Sequence, residues 1–554
     1  MGIADEAAKK RDETRKALLE KEEKKAAKNL EGKKSQATQL IELAQEHEVF
    51  NSDDEAYAVV ESADGIRQVW PVKSPGYKRL LTGLYWQKNQ SGCNKNSVLE
   101  ALDTIEARGI HEGETKNVYL RVANLGDRLY IDLVDERWQV VEVTRDGWQI
   151  LKKSPVNFIR KNGMRALLSP RDGMHIMELA GFLNMPDPQL KLAIAWLLGS
   201  LRGRAAYPVM VINGRQGSGK STASKMLRLL VDPSRVPMRP PPREPRDLVI
   251  SAINAHLLAL DNLSGIDHVM SDQICRFSTG AGFDPRALFT DLDQILIQVE
   301  KPVLINGIDE LATRPDLAER SIVLNLPVIQ KRHDEHTLWK SFEEALPGLL
   351  GGLLTCLSDC LKNEQTTREK LIEENKLPRM ADFAIWVTAA EQSLGWESGE
   401  FLQIYGENQM RTAAENIESN SIATVLLALL ADLDSDQIWQ DSPEHWKRLL
   451  KNYVDTSKKP KGLDKKPWVI SPTDLYEALS NRAGKKVNSK SWPQSTRGLK
   501  NTITRIADDL KKFGIDVEHD KGSGGKRYYQ FALDMETTIN TLASLHPQVE
   551  NWFL

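Results

Sequence analysis

The segment VMVINGRQGSGKSTASKML, residues 209–227, consists of a short apolar run, a turn with three glycines, and a helix-like pattern. Within it, Gly214 is followed by four residues and then by Gly219, Lys220 and Ser221, which satisfies the pattern G-x-x-x-x-G-K-[ST]. In such a loop, successive backbone N–H groups turn towards phosphate oxygens, the lysine supplies a cation, and the hydroxyl can ligate Mg²⁺. The segment therefore predicts a strand, a phosphate-binding loop and a helix in succession.

The predicted ligand of this loop is ATP with Mg²⁺. The residues predicted to contact the nucleotide are Gly214, Gln216, Gly217, Ser218, Gly219, Lys220, Ser221 and Thr222. A metal-holding acid is expected at the end of a buried parallel strand, and HLLALDN, residues 256–262, provides Asp261 after four apolar residues. Ser221 and Asp261 are the predicted metal ligands. Asn262 stands where many such enzymes have a glutamate that activates water, so the identity of the hydrolytic base stays open.

Two further strand patterns carry polar residues at their ends. PVLIN ends in Asn306, which is predicted to touch the γ-phosphate or the attacking water. In RPDLAERSIVLNLP, Arg320 precedes an apolar strand, and an arginine there is typical of a finger that enters a neighbouring subunit's site. A surface salt bridge is the alternative interpretation of Arg320, and Arg314 is the second candidate for the finger. The predicted catalytic residues are Lys220, Asp261, Asn262, Asn306 and Arg320.

These motifs together carry a family resemblance. The series GRQGSGKST, LLALDN, FSTGAGFDPRALF, PVLING and DLAERSIVLNLP resembles the core of superfamily 3 helicases and of related AAA+ replication ATPases from phages, plasmids and genomic islands. It covers roughly a quarter of the chain, residues 208–327. The resemblance implies an α/β ATPase core with the site residues named above, Asn306 acting as sensor and Arg320 as finger. It also implies a homo-oligomer, a hexameric ring that translocates on DNA.

One stretch departs from the family pattern. In the family, a hairpin before the sensor strand projects into the ring's pore and carries basic residues at its tip. Here RALFTDLDQILIQVE places Asp291 and Asp293 at the corresponding turn, and carboxylates repel phosphate. A pore contact with DNA would then depend on Arg276, Arg286 or Lys301.

The C-terminal part of the chain has a second resemblance. SPTDLYEALSNRAG begins with a helix-capping serine, Ser471, and STRGLKNTITRIADDLKKFGI has one apolar helical face. DVEHDKGSGGKRYYQFAL predicts two strands around a basic, glycine-rich turn. The set resembles a winged helix, whose second helix enters the major groove while the wing touches phosphate. The predicted DNA-binding residues are Arg497, Lys500, Asn501, Thr504, Arg505, Lys521, Lys526 and Arg527. Use of the winged helix for protein contacts alone is the alternative.

Length and composition predict several globular domains. The 554 residues are 41% apolar and 27% charged, with a net charge of −3. The predicted domains are a charged helical or disordered arm at 1–48, a strand-rich domain at 49–169, a P-loop ATPase domain with a helical lid at 170–400, a winged helix at 415–535 and a tail at 536–554. Asp64-Gly65, between two alternating runs, predicts a hairpin. No apolar run reaches the roughly 20 residues of a membrane span, which predicts a cytoplasmic protein without a membrane partner.

Three functions are compatible with these patterns. The first is a DNA-dependent ATPase that unwinds or travels along single-stranded or duplex DNA during replication of a mobile element. The second is a nucleotide-switched DNA-binding loader, or an antiphage-defence ATPase, that does not unwind. Asn262 and the acidic hairpin turn favour the second, whereas the finger and the sensor favour the first. The third, a small-molecule P-loop kinase, leaves the winged helix unexplained.

Overall fold

The protein is described by a computed structural model. The described residues are 34–62, 64–203, 206–242, 244–280, 300–308, 311–331, 334–434, 468–489, 492–521 and 527–533. They divide into two compact units, of which the first comprises the described residues up to Tyr119 together with Lys152–Arg160. The second comprises Leu120–Leu151 and the described residues from Lys161 onward.

The first unit packs three helices on a small sheet. Its helices are α1 (Gln36–Leu43), α2 (Pro75–Asn89) and α3 (Lys95–His111), and its strands are β1 (Glu48–Ser52), β2 (Glu55–Glu61), β3 (Arg67–Pro71), β4 (Glu114–Thr115), β5 (Val118–Tyr119) and β10 (Asn157–Phe158). The sheet order is β3-β2-β1-β4, and β10 pairs with β5. The predicted hairpin is confirmed, because β2 and β3 pair antiparallel around Gly65, which has a positive φ of 74°.

The second unit contains the segment with the glycine-rich turn. Its helices are α4 (Asp187–Ser200), α5 (Lys220–Val231), α6 (Pro245–Ile253), α7 (His268–Thr279), α8 (Pro315–Ala318), α9 (Glu335–Glu373), α10 (Ala381–Thr388), α11 (Glu400–Ser419), α12 (Ser421–Asp434), α13 (Pro472–Ala483) and α14 (Thr496–Lys512). Its strands are β6 (Val122–Leu125), β7 (Arg128–Asp132), β8 (Val140–Thr144), β9 (Gly147–Leu151), β11 (Val209–Gly214), β12 (Leu258–Leu263), β13 (Val303–Gly307), β14 (Ser321–Leu326), β15 (Trp468–Ile470), β16 (Ile515–Lys521) and β17 (Arg527–Leu533).

A parallel sheet forms the centre of the second unit. Its order is β12-β13-β11-β14, and β11 pairs in parallel with β13 and β14. Alternate residues of β11 enter different cores: Met210 and Ile212 join the cluster with α4, α5 and α9, whereas Val209 and Val211 join the cluster with α6, α7 and α8. Because both faces are covered, the strands are apolar throughout, as parallel strands in α/β proteins are. The predicted α/β class is confirmed.

Strands β6–β9 form an antiparallel sheet that packs with the same core. Thr144 accepts a hydrogen bond from Ser358 of α9 at 2.6 Å. A fully buried ion pair also fixes this sheet, since Arg121 Nε lies 3.0 Å from Asp232 Oδ1, just beyond α5. The range 49–169, predicted as one strand-rich domain, is therefore divided between the two units. Helix α1, whose Leu40 is fully buried in the first unit, lies within the range predicted as an arm.

The C-terminal part has its own hydrophobic cluster. Antiparallel strands β15, β17 and β16 lie in that order, and α13 and α14 pack on them through residues such as Leu475, Leu499 and Phe531. The predicted cap is confirmed, because Ser471 Oγ accepts a hydrogen bond from the Asp474 N–H at 3.1 Å. The cluster extends into α11 and α12 through Ile417 and other residues, and α11 connects it to the parallel sheet through hydrogen bonds to β14.

Helix α9 is the one described helix that is long and apolar enough to cross a membrane by length and composition. Most of its apolar window, 61%, is buried inside the protein. Leu349, Leu353 and Leu357 lie on its buried side. A largely buried helix of this kind is typical of a protein core.

Candidate functional site

The glycine-rich turn connects β11 to α5 at the carboxyl edge of the parallel sheet. Gly217 and Gly219 have positive φ values of 83° and 84°, a conformation that glycine adopts without strain. A Cβ at Gly214 would lie 2.6 Å from Ser218 Oγ and 2.9 Å from the Leu326 carbonyl oxygen. Side chains at these positions would therefore deform the loop. The strand, loop and helix lie where the sequence predicts them.

Lys220 is the first residue of α5 and its side chain folds back over the loop. Its Nζ donates hydrogen bonds to the carbonyl oxygens of Gly214 at 2.6 Å and Arg215 at 3.1 Å. Burial lowers the pKa of Lys220, an effect that the nearby Asp261 carboxylate opposes. The loop thus holds a partly desolvated cation beside its turn, where a phosphate oxygen can replace the carbonyl contacts.

Ser221 and Asp261 meet across the sheet edge. Ser221 Oγ donates a hydrogen bond to Asp261 Oδ1 at 3.0 Å, although the two residues are 40 positions apart. A hydroxyl and a carboxylate are oxygen ligands of the kind that Mg²⁺ prefers. Among the described residues there is no cluster of three or more His, Cys, Asp or Glu that could hold a metal. The pair fits a magnesium ion that takes its remaining ligands from phosphate and water.

The chain bends directly after Asp261. The pairing of β12 with β13 shifts register between Leu260 and Leu263, and Asn262 lies in the left-handed region with φ 58°. Asparagine tolerates this conformation better than glutamate does, because its short polar side chain can bond locally. The Asn262 side chain is exposed at the site. The left-handed backbone at position 262 is thus a physical reason for asparagine, rather than the expected glutamate, at this position.

Asn306 is buried and bonded at both ends of its amide. Its Oδ1 accepts a hydrogen bond from the Asn262 N–H at 2.9 Å, and its Nδ2 donates to Ser224 Oγ at 2.9 Å. The residue is 1% exposed. Asn306 therefore ties the bend after Asp261 to helix α5, and it lies behind the loop rather than pointing freely into the site.

Two supporting residues have no signal in the local sequence pattern. Asn184 donates from Nδ2 to the carbonyl oxygens of Ser218 at 3.2 Å and Pro327 at 2.6 Å, which fixes the outer side of the loop. Ser224 lies one turn after Ser221 on α5 and receives the Asn306 amide. Asn184 lies 34 positions before Ser218, so sequence reasoning had no means of pairing them.

Arg320 lies at the opposite end of the sheet from the glycine-rich loop. It precedes β14, whose first residue Ser321 pairs with Val209, whereas the last, Leu326, pairs with Gly214. At about 3.3 Å per residue, this separation amounts to roughly 17 Å. Arg320 is 19% exposed and pairs with Asp316. The loop of its own chain is therefore beyond its reach.

The surroundings of Arg320 form a charged network. Arg379 also contacts Asp316, at 3.2 Å, and pairs with Glu319. Burial raises the pKa of Asp316, but the hydrogen bond and charge of Arg320 outweigh it and hold that pKa below its usual value. Arg314, the second finger candidate, forms an ion pair with Asp272 at 2.8 Å. Arg379 was not predicted from the sequence.

The predicted DNA-binding residues of the C-terminal part lie mainly on one helix. Arg497, Lys500, Asn501, Thr504 and Arg505 are all exposed on α14. Thr504 and Arg505, with Asp508, also line a groove of about 550 Å³ whose other wall includes Arg314, Asp316 and Glu319. The N-terminal half of α14 does not line this groove. The predicted face is therefore split between an open part and a part that faces the Arg320 segment.

The predicted wing is described only in part. Strands β16 and β17 pair antiparallel, with Lys521 opposite Arg527. Lys526 lies outside the described residues, as do Arg286, Asp291 and Asp293 of the predicted pore hairpin. Arg276 is exposed on α7. Burial lowers the pKa of Lys301 to about 8, so this cation lies partly inside the protein.

Two solved structures are similar to the chain over most of its length. The structure titled "SCCmec type IV Cch - active helicase" is 13% identical, covers 89% of this chain and 92% of its own, and has a TM-score of 0.43. The structure titled "The A form apo structure of NrS-1 C terminal region-CTR" is 12% identical, covers 89% of this chain and 98% of its own, and has a TM-score of 0.39. The comparison with curated proteins finds no match.

Two family models match the second unit. Residues 175–399 match the model described as "Actinomycete integrative conjugative element replication protein". Residues 461–540 match the model described as "AICE RepA C-terminal domain". The two matches together span more than half of the chain, and the predicted resemblance to a genomic-island replication protein is confirmed. The chain therefore belongs to the AICE RepA family of replication proteins.

Proposed function

We propose that the protein is an ATP-hydrolysing, DNA-binding ring ATPase that unwinds or translocates on DNA during replication of a mobile element. The observation that carries this proposal is the hydrogen bond of 3.0 Å between Ser221 and Asp261, directly beside Lys220. Lys220 and Ser221 begin helix α5, Asp261 lies on strand β12, and the three meet at the sheet edge where α/β proteins bind nucleotides. Membership of a replication protein family supports the DNA-related role.

The loop residues bind and orient the phosphates. Gly217 and Gly219 give the loop the positive φ angles that let backbone N–H groups face phosphate, and the start of α5 adds the positive end of a helix dipole. Lys220 exchanges its contacts with the Gly214 and Arg215 carbonyls for the β- and γ-phosphates. Ser221 and Asp261 would hold Mg²⁺, which when bound neutralises charge on these phosphates. The chain's own contribution is therefore positioning and electrostatic stabilisation.

In this proposal Asn262 orients the attacking water and Asn306 holds Asn262 in place. The exposed Asn262 side chain lies next to Asp261, where it can orient a water by hydrogen bonding. Asn306 holds the Asn262 backbone N–H at 2.9 Å and so fixes the position of that side chain. Asn306 is on this basis a positioning residue. An amide orients water without accepting its proton, as the glutamine of some GTPases does.

Arg320 supplies the finger to a neighbouring subunit. The sheet separates it from the loop of its own chain by roughly 17 Å, which favours action between subunits of a ring. Asp316 and Arg379 hold the guanidinium region in place at the opposite end of the sheet. A closed homo-oligomer, proposed here to be a hexamer, brings this end of one subunit to the loop of the next.

A non-unwinding loader is the second candidate function. Asn262 favours it, because an amide in place of the usual glutamate slows hydrolysis and prolongs the ATP-bound state. Such a protein assembles on DNA when ATP is bound and releases it after slow hydrolysis. The two functions share the ATP site and differ in whether strands separate.

The experiment measures ATPase activity and strand displacement on forked DNA. Lys220→Ala should abolish hydrolysis without unfolding the chain, because it deletes a phosphate contact and leaves β11 and α5 intact. Arg215→Ala is the matched control, since this exposed loop residue offers only its backbone to Lys220. Wild-type turnover by Lys220→Ala would overturn the proposed site. ATP hydrolysis by the wild type without strand displacement would establish the loader instead.

A further inference from the structure

One stretch of the first unit is rich in positive charge that the ATPase proposal does not use. Residues 65–99 contain no Asp or Glu, although the whole chain has 77 acids and 74 bases. The stretch covers β3, α2 and the beginning of α3. Its six cations are Arg67, Lys73, Lys78, Arg79, Lys88 and Lys95. The stretch therefore carries six positive charges and no negative one, in a chain that is slightly acidic overall.

Two of these cations have structural partners. Arg67 donates to Asn157 Oδ1 at 2.6 Å, and Lys73 lies 3.0 Å from Glu106. The remaining four, Lys78, Arg79, Lys88 and Lys95, form no ion pair with any residue that the structure describes. Arg79, Lys88 and Lys95 are exposed, and Lys78 is half-buried. These four charges are free to meet a polyanion.

An exposed aromatic ring lies among them. Trp86 of α2 is 54% exposed, while the other described tryptophans are buried or half-buried. Helix α2 uses Tyr77, Leu81 and Tyr85 to pack on the first unit's core. With 3.6 residues per turn, Trp86 and Arg79 lie together on the opposite face. The indole is thus not needed for packing.

The helix surface beside the indole is open. Gly83 lies between Arg79 and Trp86 on the outer face, and a Cβ built on it would meet no atom within 4 Å. Glycine inside a helix costs roughly 1 kcal/mol relative to alanine, and no close packing accounts for its presence here. Gln87 and Gln90, both exposed, add amides beside the ring. The result is a flat aromatic platform with cations on the same helix.

We propose that this outer face of α2 binds single-stranded nucleic acid. The Trp86 indole stacks on an unpaired base, while Arg79 and neighbouring cations contact the adjacent phosphates. Unpaired bases are required, because the faces of paired bases are covered by their neighbours in the duplex. A protein partner would usually bind through a contiguous apolar patch on this face, or would itself be strongly acidic. A single exposed ring beside unpaired cations instead matches a single strand, in which bases alternate with phosphates. The site is independent of the ATP loop.

The test measures binding of a labelled oligothymidylate to the full chain without nucleotide. Trp86→Ala should weaken binding about 5- to 150-fold, the range for loss of one stacked base. Trp86→Phe should retain most of the affinity, because it keeps an aromatic face. Arg79→Ala should lower the log–log salt slope by roughly 0.7, the value for one phosphate contact on a single strand. Arg137→Ala with Arg145→Ala, two exposed cations outside the first unit, is the control.

A second measurement reads the site directly, so that DNA contacts elsewhere in the chain do not mask the result. Ultraviolet cross-linking of an oligonucleotide that contains 5-iodouracil should label the peptide with Trp86, and Lys220→Ala should cross-link equally. The proposal is overturned if no cross-link forms at Trp86 and Trp86→Ala binds with unchanged affinity. The proposal would also be overturned if Trp86→Ala lost the same affinity for duplex as for single-stranded DNA, since stacking needs unpaired bases. Loss of ATPase activity alone would bear on the ATP site and not on this one.

Discussion

At the scale of single residues, the candidate site depends on asparagine amides that bond the backbone. Asn306 connects the bend at Asn262 to Ser224 of α5. The sequence identified Asn306 from its position at the end of a strand, but its partners are 44 and 82 residues away. The local sequence pattern is enough to place Asn306 at the end of a strand. The partners of its side chain depend on how distant elements pack. This is why the residue could be predicted and its bonding could not.

Asn306→Ala should reduce both stability and hydrolysis. The substitution leaves the Asn262 N–H and the Ser224 hydroxyl without their partner, which costs about 1–3 kcal/mol. It also frees the bend after Asp261, so kcat should fall more than KM changes. Urea unfolding and steady-state ATPase measurements check these effects. Asn254→Ala, at an exposed asparagine, is the control. If both variants lost the same stability and the same ATPase activity, Asn306 would have no special role at the site.

His256 should make stability depend on pH. Burial, with the nearby Lys301 charge, lowers its pKa to about 4, and its Nε2–H donates to the Ser200 carbonyl oxygen at 2.8 Å. The unfolded chain binds this proton below about pH 6.5, whereas the folded chain binds it only near pH 4. Stability is therefore full above about pH 6.5 and falls as the pH drops towards 4, by the order of 3 kcal/mol.

Urea unfolding at several pH values checks this dependence. His256→Gln should flatten the pH profile between about 4 and 6.5, because glutamine does not titrate there. His111→Gln removes an exposed histidine and should leave the profile unchanged. If His256→Gln kept the full wild-type slope, another group would be responsible.

At the scale of elements, helix α11 completes the edge of the parallel sheet. Asn408 accepts a hydrogen bond from the Val323 N–H at 3.1 Å and donates to the Val323 carbonyl at 2.6 Å, and Gln409 donates to the Ser321 carbonyl at 2.7 Å. Side-chain amides thus replace a neighbouring strand along β14. This covering of an edge is one way in which proteins prevent unwanted strand pairing.

Strand β14 could be predicted from the sequence, whereas its contact with α11 could not. The strand SIVLNL was recognisable because it is apolar on both faces. The contact with Asn408 joins residues 85 positions apart, and a polar residue on a helix has many compatible partners. Similarly, β6–β9 were recognisable from alternation, but their place in the second unit depends on Arg121 and Asp232, which are 111 positions apart. Local periodicity predicts elements, whereas their assembly depends on such distant pairs.

Asn408→Ala should loosen the edge strand. It removes both hydrogen bonds to Val323, which we expect to cost about 1–3 kcal/mol because this backbone is buried. Hydrogen exchange at the Val323 amide should accelerate, and urea unfolding should shift to lower concentration. Gln403→Ala is the matched control on the same helix, since Gln403 is exposed and bonds only to Glu407 within α11. Unchanged exchange at Val323 would show that the strand does not depend on the amide.

At the scale of the whole molecule, the parallel sheet separates two functional edges. The glycine-rich loop lies at the carboxyl ends of the strands, whereas Arg320 lies at the amino end of β14. In the proposed ring, the loop edge of one subunit would face the Arg320 edge of the next. The groove that joins Asp316 and Glu319 to Thr504 and Arg505 lies at the Arg320 edge. If Arg320 acts as the proposed finger, the α14 residues that line this groove are placed to affect it.

Mixing of variants tests the action of Arg320 between subunits. Arg320→Ala and Lys220→Ala should each be nearly inactive alone, and a mixture should regain part of the ATPase activity. At some junctions an intact Arg320 then meets an intact loop. Restored turnover also requires oligomers, which size-exclusion chromatography with light scattering detects. Oligomers that form from both variants without any restored activity would argue that Arg320 acts only as the partner of Asp316.

The two halves of helix α14 should differ in their effect on DNA. Arg497 and Lys500 lie on its open part, so Arg497→Ala with Lys500→Ala should weaken duplex binding. The log–log salt slope should drop by about 1.8, since each phosphate contact accounts for about 0.9. Basal ATPase activity should remain, because neither residue belongs to the predicted nucleotide site. Arg505→Ala alters the groove beside Asp316, and should change DNA stimulation of ATPase more than DNA affinity. If the first variant bound duplex with unchanged affinity and slope, α14 would be a surface for protein contacts, and the DNA of the replication complex would be held elsewhere on the chain.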